Sequence, residues 1–400
     1  MSTLPHPEPH ISPNASRIAR RVESVPPSGI RRFFDISATM KNVISLGIGE
    51  PDFTTPRHIL DVGIQALARG ETHYTSNSGM QELREALSRK YDALYGVRFD
   101  PESELLITVG GSEALQLAMI ALLNPGDEVI VVEPSYVAYK PAVVFAGGVP
   151  VVVETRAENN FEVTGADIEA RVTPKTRMIF IGYPNNPTGA VLPRERLMEI
   201  AAVAEKHDLL VVSDELYDRL IYAGFQQICF SSLPGMKERT ILIAGFSKNY
   251  AMTGWRVGFI AANPILLSAI RKVHQYIIMS APTVAQFAAI EALENGDAAV
   301  EQMRLAYDAR RRLLVSGLNS IGLPTFEPKG AFYCFPDIRP TGLTSEEFSE
   351  ALIHEEQVAA VPGSAFGACG EGYVRMAYTS SLEQIERALR RIERFVKRRM

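Results

Sequence analysis

Cysteine is scarce in this chain. Cys229, Cys334 and Cys369 stand far apart, are odd in number and show no CxxC spacing, which argues against a disulfide framework or a zinc cage and fits a reducing, cytoplasmic compartment. No metal site is expected. A basic excess is also missing: the formal net charge is -5, so nothing in the composition answers a nucleic-acid backbone or an anionic membrane surface. No apolar run approaches the eighteen or so residues of a membrane span, and the opening MSTLPHPEPHISPNAS carries prolines instead of the apolar core of a signal sequence. A soluble protein with a mobile arm at its start is the expectation. Neither GxGxxG nor GxxxxGK[ST] occurs, which removes the dinucleotide and Walker modes of phosphate binding.

What is present is apolar bulk in short runs. Four hundred residues with 46% hydrophobic content exceed one small domain. From about residue 105 to 262 the β-branched runs LLITV, EVIVVE, PVVVE, MIFIG, LLVVSD, TILIAG and VGFIAA alternate with helical patterns. Near-continuous apolar strands separated by helices predict a mainly parallel sheet of about seven strands, covered on both faces: an α/β domain. After about residue 290 long charged amphipathic helices take over. In the last of them Ile385, Leu389, Ile392 and Val396 form an apolar stripe. The expected organisation is residues 1–45 as arm and part of a small domain, 46–290 as the large domain, and 291–400 as a smaller α+β domain.

Ligands of open α/β sheets bind beyond the carboxyl ends of the strands, and four polar clusters fall there. TVGGSEAL (residues 108–115) runs a strand into two glycines and a helix, which suits either an anion at the helix start or a tight turn with Ser112 as N-cap. YPNNPTGAVLP (183–193) reads as a turn or as a pair of Asn donors. In LLVVSDELYDRL (209–220) Asp214 ends a strand, as a helix cap or as a buried carboxylate in need of a partner, with Tyr217 one turn on. In GFSKNYAMTGWR (245–256) Ser247 and Lys248 follow the strand TILIAG, with Arg256 behind them; a lone lysine there could also snorkel outward. Jointly these clusters offer an anion site, an amine able to form an imine, a carboxylate for a protonated ring nitrogen, donors for a phenolic oxygen, and Tyr136 in EPSYVAY for stacking. Those are the handles of pyridoxal 5'-phosphate.

From ISLGIGEPDFTTP through HYTSNSGMQELREAL, GGSEAL, NNPTG, SDELY and SKNYAMTGWRVGF to KGAFYCFP and VPGSAFGACGEGYVRMAY, the chain resembles the fold-type I, class I/II pyridoxal-phosphate aminotransferases of the aspartate aminotransferase superfamily. It looks most like the branch of archaeal and bacterial aromatic-amino-acid aminotransferases. The resemblance implies that Lys248 attaches the cofactor and shuttles the proton, and that Asp214 pairs with the ring nitrogen. It implies that Asn186 and Tyr217 bond the ring oxygen, that Tyr136 stacks on the ring, and that Gly110, Gly111, Ser112, Ser247 and Arg256 hold the phosphate. Arg375, helped by Asn186 and the backbone at Gly47, would clamp the substrate α-carboxylate. Tyr74 would reach across a homodimer interface to the neighbouring phosphate.

The implied activity is ping-pong transfer of an amino group between an L-amino acid, aromatic or aspartate/glutamate, and a 2-oxo acid. Ser112 stands where some aspartate-preferring relatives carry lysine, and the apolar YIIMSAPT (276–283) reads as a pocket wall for aromatic or aliphatic side chains. Two alternatives stand beside transfer. One is a pyridoxal-phosphate C–S β-lyase. The other is a non-catalytic regulatory module, for which about forty residues before the first motif leave little room.

Overall fold

The computed structural model describes residues 17–27, 29, 30, 40 and 42–400; the Pro-rich start lies outside them. In chain order β1 (Ile44–Ser45) belongs to a small sheet. The next seven strands build the large one: β2 (Leu105–Thr108), β3 (Glu128–Glu133), β4 (Val149–Glu154), β5 (Thr176–Gly182), β6 (Leu210–Asp214), β7 (Thr240–Gly245) and β8 (Gly258–Ala261). Their order is β2-β8-β7-β6-β5-β3-β4. Strands β3 to β7 are mutually parallel where they pair, and β8 runs against both of its neighbours. The loop 246–257 that joins β7 to β8 contains only the short turn Thr253–Trp255 and no crossover helix, so the chain doubles back beside its own strand.

Period-two alternation explains why both faces are covered. Val129 and Val131 of β3, Met178 and Phe180 of β5, and Ile241 and Ile243 of β7 share one core. Their neighbours Ile130, Val132, Ile179 and Ile181 enter a second core on the opposite face, and Leu242 and Ala244 a third. The first face is closed by the helices Gly110–Leu122 and Pro264–Ile277, which pack on each other.

Beyond the large sheet, β9 (Tyr333–Cys334), β10 (Val358–Ala359), β11 (Val361–Pro362) and β12 (Val374–Ala377) form two small sheets. One is antiparallel, in the order β11-β12-β9; in the other β1 pairs with β10 in parallel. A boundary at 290/291 falls inside the helix Thr283–Asn295, whose backbone hydrogen bonds make it one unit. The next helix, Asp297–Ile321, packs against two cores. Its Val300 packs with the large-sheet core, whereas Met303, Tyr307 and Leu314 belong to the other. In the closing helix Leu382–Lys397 the buried side chains are Ile385, Ala388, Ile392, Phe395 and Val396. Leu389 is only half-buried, packing on the edge of that core, because the buried face is centred toward Ala388 and Phe395.

Candidate active site

A cavity of about 880 Å3 opens between the carboxyl ends of β5, β6 and β7, the start of the helix Gly110–Leu122, and the small antiparallel sheet. It brings together Gly111, Ser112, Tyr136, Asn186, Asp214, Tyr217, Ser247, Lys248, Arg256 and Arg375. These residues lie as far apart in sequence as Gly111 and Arg375; only the meeting of the large sheet's edge with the small sheet makes them neighbours.

Lys248 does not snorkel outward. Its Nζ points into the cavity, donates to the Gly49 carbonyl at 2.6 Å, and lies 5.7 Å and 6.0 Å from the ring centres of Phe332 and Tyr217. Among the described residues no carboxylate comes within ion-pair distance of it. Burial, and after it the Arg375 charge, draw this amine down to about 8, so a substantial neutral, nucleophilic fraction exists near physiological pH.

Asp214 ends β6 and caps a turn rather than a helix: its Oδ1 accepts from Leu216 N at 3.1 Å, and Oδ2 accepts from Tyr139 Oη at 2.8 Å. Burial outweighs both bonds and pushes the carboxyl up to about 6. Tyr217 Oη lies 2.9 Å from Tyr333 Oη, which ties the large sheet to β9. Tyr136 stands edge-on to Tyr139, centroids 5.7 Å apart, with its own ring half-buried on the cavity wall.

The anion corner rests on backbone. The helix Gly110–Leu122 begins with Val109 at the N-cap position and no side-chain cap, so Ser112 lies inside the first turn and does not cap. The amides of Gly110, Gly111 and Ser112 have no acceptor within the helix. Gly110 has φ +73°, and a Cβ there would stand 2.6 Å from Arg256 Nη2, so only glycine lets the guanidinium lie across the loop. Arg256 itself donates to the Thr253 carbonyl at 3.1 Å and to that of Val109 at 3.5 Å. Among the described residues its hydrogen-bond partners are carbonyls, an arrangement that suits an incoming anion.

Arg375 is buried deepest. Nη1 donates to Asn186 Oδ1 at 2.9 Å and Nη2 to the Gly47 carbonyl at 2.6 Å, while Nε has no partner. The guanidinium stacks between Tyr333 (4.5 Å) and Phe366 (4.9 Å). A buried guanidinium without a carboxylate is costly to keep, and an incoming carboxylate would relieve that cost. Of the two asparagines, Asn185 makes the turn, bonding Pro134, Gly182 and Thr188. Asn186 faces the cavity, and among the described residues its amide N–H groups meet no acceptor.

Two expectations find no place in this cavity. Tyr74 is 81% exposed on the outer surface. The stretch YIIMSAPT, which begins in the last turn of the helix Pro264–Ile277, contributes none of the residues that line this chain's cavity. Tyr276 to Met279 are exposed and are tied to Tyr74's neighbourhood through Asn77 Nδ2, which donates to the Met279 carbonyl at 2.8 Å. Tyr139 and Tyr333 were missed. Tyr139 sits in EPSYVAY one helical turn after Tyr136, where a second phenol beside a named residue was the available signal; Tyr333 sits in KGAFYCFP, where nothing local set it apart from core. Trp255 packs its ring on Gly63 and donates from Nε1 to Thr55 Oγ1 at 3.0 Å, bracing the Arg256 loop from behind.

A family model described as aminotransferase class I and II matches residues 41–392. The chain is 47% identical to an aromatic-amino-acid aminotransferase 2 of Thermococcus litoralis, with 95% of this chain and 98% of that protein aligned. It is 48% identical to an aspartate aminotransferase of Pyrococcus abyssi, over 94% and 97%. Among solved structures, the aromatic aminotransferase of Pyrococcus horikoshii superposes with TM-score 0.88 at 46% identity over 92% of this chain and 99% of that one. The aspartate aminotransferase of Thermus thermophilus with maleate gives 0.90 at 39%, over 94% and 99%. This chain is a member of the class I and II aminotransferases, with the fold-type I architecture.

Proposed function

We propose that the cavity binds pyridoxal 5'-phosphate, on which members of this class generally depend, and transfers amino groups between aromatic, and secondarily dicarboxylic, L-amino acids and 2-oxo acids. The single observation that carries this reading is the pairing, in one cavity, of a partly neutral lysine with a buried arginine whose Nε is unpartnered. The residues present fit the cofactor's handles: phosphate at the Gly110, Gly111, Ser112, Ser247 and Arg256 corner; ring oxygen at Asn186 and Tyr217; ring nitrogen at Asp214; ring face at Tyr136. When bound, the cofactor supplies a carbonyl that condenses with amines and a protonated ring that withdraws electrons.

The chain's own part is to place and move protons. Asp214, with Tyr139 donating to it, holds a negative charge where a ring N–H would sit, and a cation there pulls its carboxyl back down. Lys248 Nζ takes and returns the substrate proton within the cavity. Arg375 orients the α-carboxylate through its fork of N–H donors.

The cavity's charges bear on the substrate. Among its described lining residues the only cations are Lys248, Arg256 and Arg375, each already assigned. Among the described residues, then, a second substrate carboxylate meets no further cation in the cavity, whereas Ile30, Ile48 and Val137 line an apolar part. The test is to mix the cofactor-loaded protein with tyrosine, phenylalanine, aspartate, glutamate and alanine in turn and follow conversion to the pyridoxamine form. Fastest conversion with the aromatic donors is expected; activity with alanine alone would refute the substrate reading, and full turnover by Lys248→Ala would refute the site. Pyruvate and ammonia released from cystathionine without a 2-oxo acid would favour the C–S lyase, which none of the relatives named above supports.

The exposed Tyr74, with Tyr276, Ile277, Ile278 and Met279 beside it, is read as the surface that meets a second copy, Tyr74 completing the partner's phosphate site. Tyr74→Phe and Lys248→Ala chains, each impaired alone, should then regain activity on mixing, since one site per mixed dimer is intact. Mixtures no better than either variant would rule out the shared site.

A further inference from the structure

Glu113 stands in the first turn of the helix that offers its amides to an anion. The helix dipole favours a carboxylate there, yet the same charge repels a phosphate arriving at the same end. The side chain is turned away from the cavity and is held from two sides. Its Oε2 accepts a short hydrogen bond from Val109 N, and its Oε1 meets His274 Nδ1 at 2.8 Å. His274, on the helix Pro264–Ile277, is fully buried, and its Nε2 has no partner. The tautomer with the proton on Nδ1 donates to Glu113 and leaves no buried N–H orphaned. The connection continues through Val109, whose carbonyl receives Arg256 Nη2 and whose successor Gly110 takes the positive φ. Neither Glu113, His274 nor Val109 lines the cavity.

We propose that the His274–Glu113 pair is a positioning device for the cofactor's phosphate. It pins the Val109 amide, which no side chain of Val109 itself could cap. The directions of the Gly110, Gly111 and Ser112 amides and of the Arg256 guanidinium follow from that. It also holds the Glu113 charge on the side of the helix away from the anion. The inference rests on the cofactor reading above.

The test compares pyridoxal 5'-phosphate with pyridoxal, which lacks only the phosphate, by absorbance titration of the cofactor-free protein, with circular dichroism to check folding. Glu113→Ala should weaken pyridoxal-phosphate binding about tenfold, the worth of one well-placed hydrogen bond, and leave pyridoxal within about twofold. His274→Leu should act in the same phosphate-selective direction. His274→Asn, which can still donate from the Nδ1 position, and Glu113→Gln, which can still accept from Val109, should recover most of the preference and keep the question answerable if the harsher variants fold poorly. Equal weakening of both ligands, or an unchanged ratio in Glu113→Ala and His274→Leu, would overturn the proposal. Wild-type protein with no preference for pyridoxal phosphate over pyridoxal would sink the cofactor reading, and this inference with it.

Discussion

In the cofactor-free protein, Asp214→Asn should make the fold more stable at alkaline pH while destroying the proposed ring-nitrogen site. Burial raises the Asp214 carboxyl from the ordinary 3.8 to about 6, a rise of roughly two units, or about 3 kcal/mol at 1.36 kcal/mol per unit. The unfolded chain ionises near 3.8 and the fold only near 6. The penalty is therefore absent below the first value, grows between the two and is complete above the second. Asparagine carries no charge and escapes it, but its NH2 now faces a donor, Tyr139 Oη or Leu216 N, at a loss of about 1 kcal/mol. The net gain is about 2 kcal/mol at pH 8, and near pH 4, where little penalty remains to escape, the variant is slightly less stable than wild type. For a chain of this size that amounts to roughly 2–4 °C in melting temperature, read by circular dichroism on both cofactor-free proteins at pH 4.5, 6 and 8. A variant no more stable than wild type at pH 8, or a difference independent of pH, would refute the argument. With pyridoxal phosphate added the order should invert, because only the ionised carboxylate pairs with a ring N–H.

Glu215→Gln should be nearly silent at pH 7, within about 1 °C: burial pushes Glu215 up to about 8, and its Oε1 accepts from Ser213 Oγ and Phe230 N, bonds a Gln oxygen can keep. A loss of several degrees at pH 7 would show that the carboxylate is ionised there. Phe395→Ala removes a fully buried ring that meets Phe348 edge-on at 5.2 Å and should cost about 3–5 kcal/mol; Leu389→Ala, at a half-buried position, should cost clearly less, and urea denaturation showing the reverse would mean that the helix buries its Leu389 side instead. Gly63→Ala would place a methyl 2.7 Å from a Trp255 ring carbon, overpacking worth about 1–3 kcal/mol. It should shift the fluorescence of the chain's only tryptophan and weaken cofactor binding through the Arg256 loop; unchanged fluorescence and affinity would mean that Trp255 braces nothing.

The legible parts of this molecule are those where one local rule sufficed. The seven strand runs are apolar, β-branched and bounded by turn residues, so their existence follows from pattern. Lys248 and Asp214 could be found because a charge at the end of an apolar strand contradicts its surroundings. What pattern could not supply is direction and facing. Nothing local in VGFIAA distinguishes an antiparallel strand from a parallel one; the missing crossover helix does. Asn185 and Asn186 are chemically alike, and only the fold decides that one closes a turn while the other meets Arg375. Tyr139 and Tyr333 were lost for the same reason, since a phenol in a buried aromatic run reads as core until a partner's position is known. The same limit hid the His274–Glu113 contact: 161 residues separate the two, and each alone is an ordinary helix residue. Long-range polar pairs of this kind leave no periodicity behind, so they are where a three-dimensional arrangement adds most to what a chain's pattern can say.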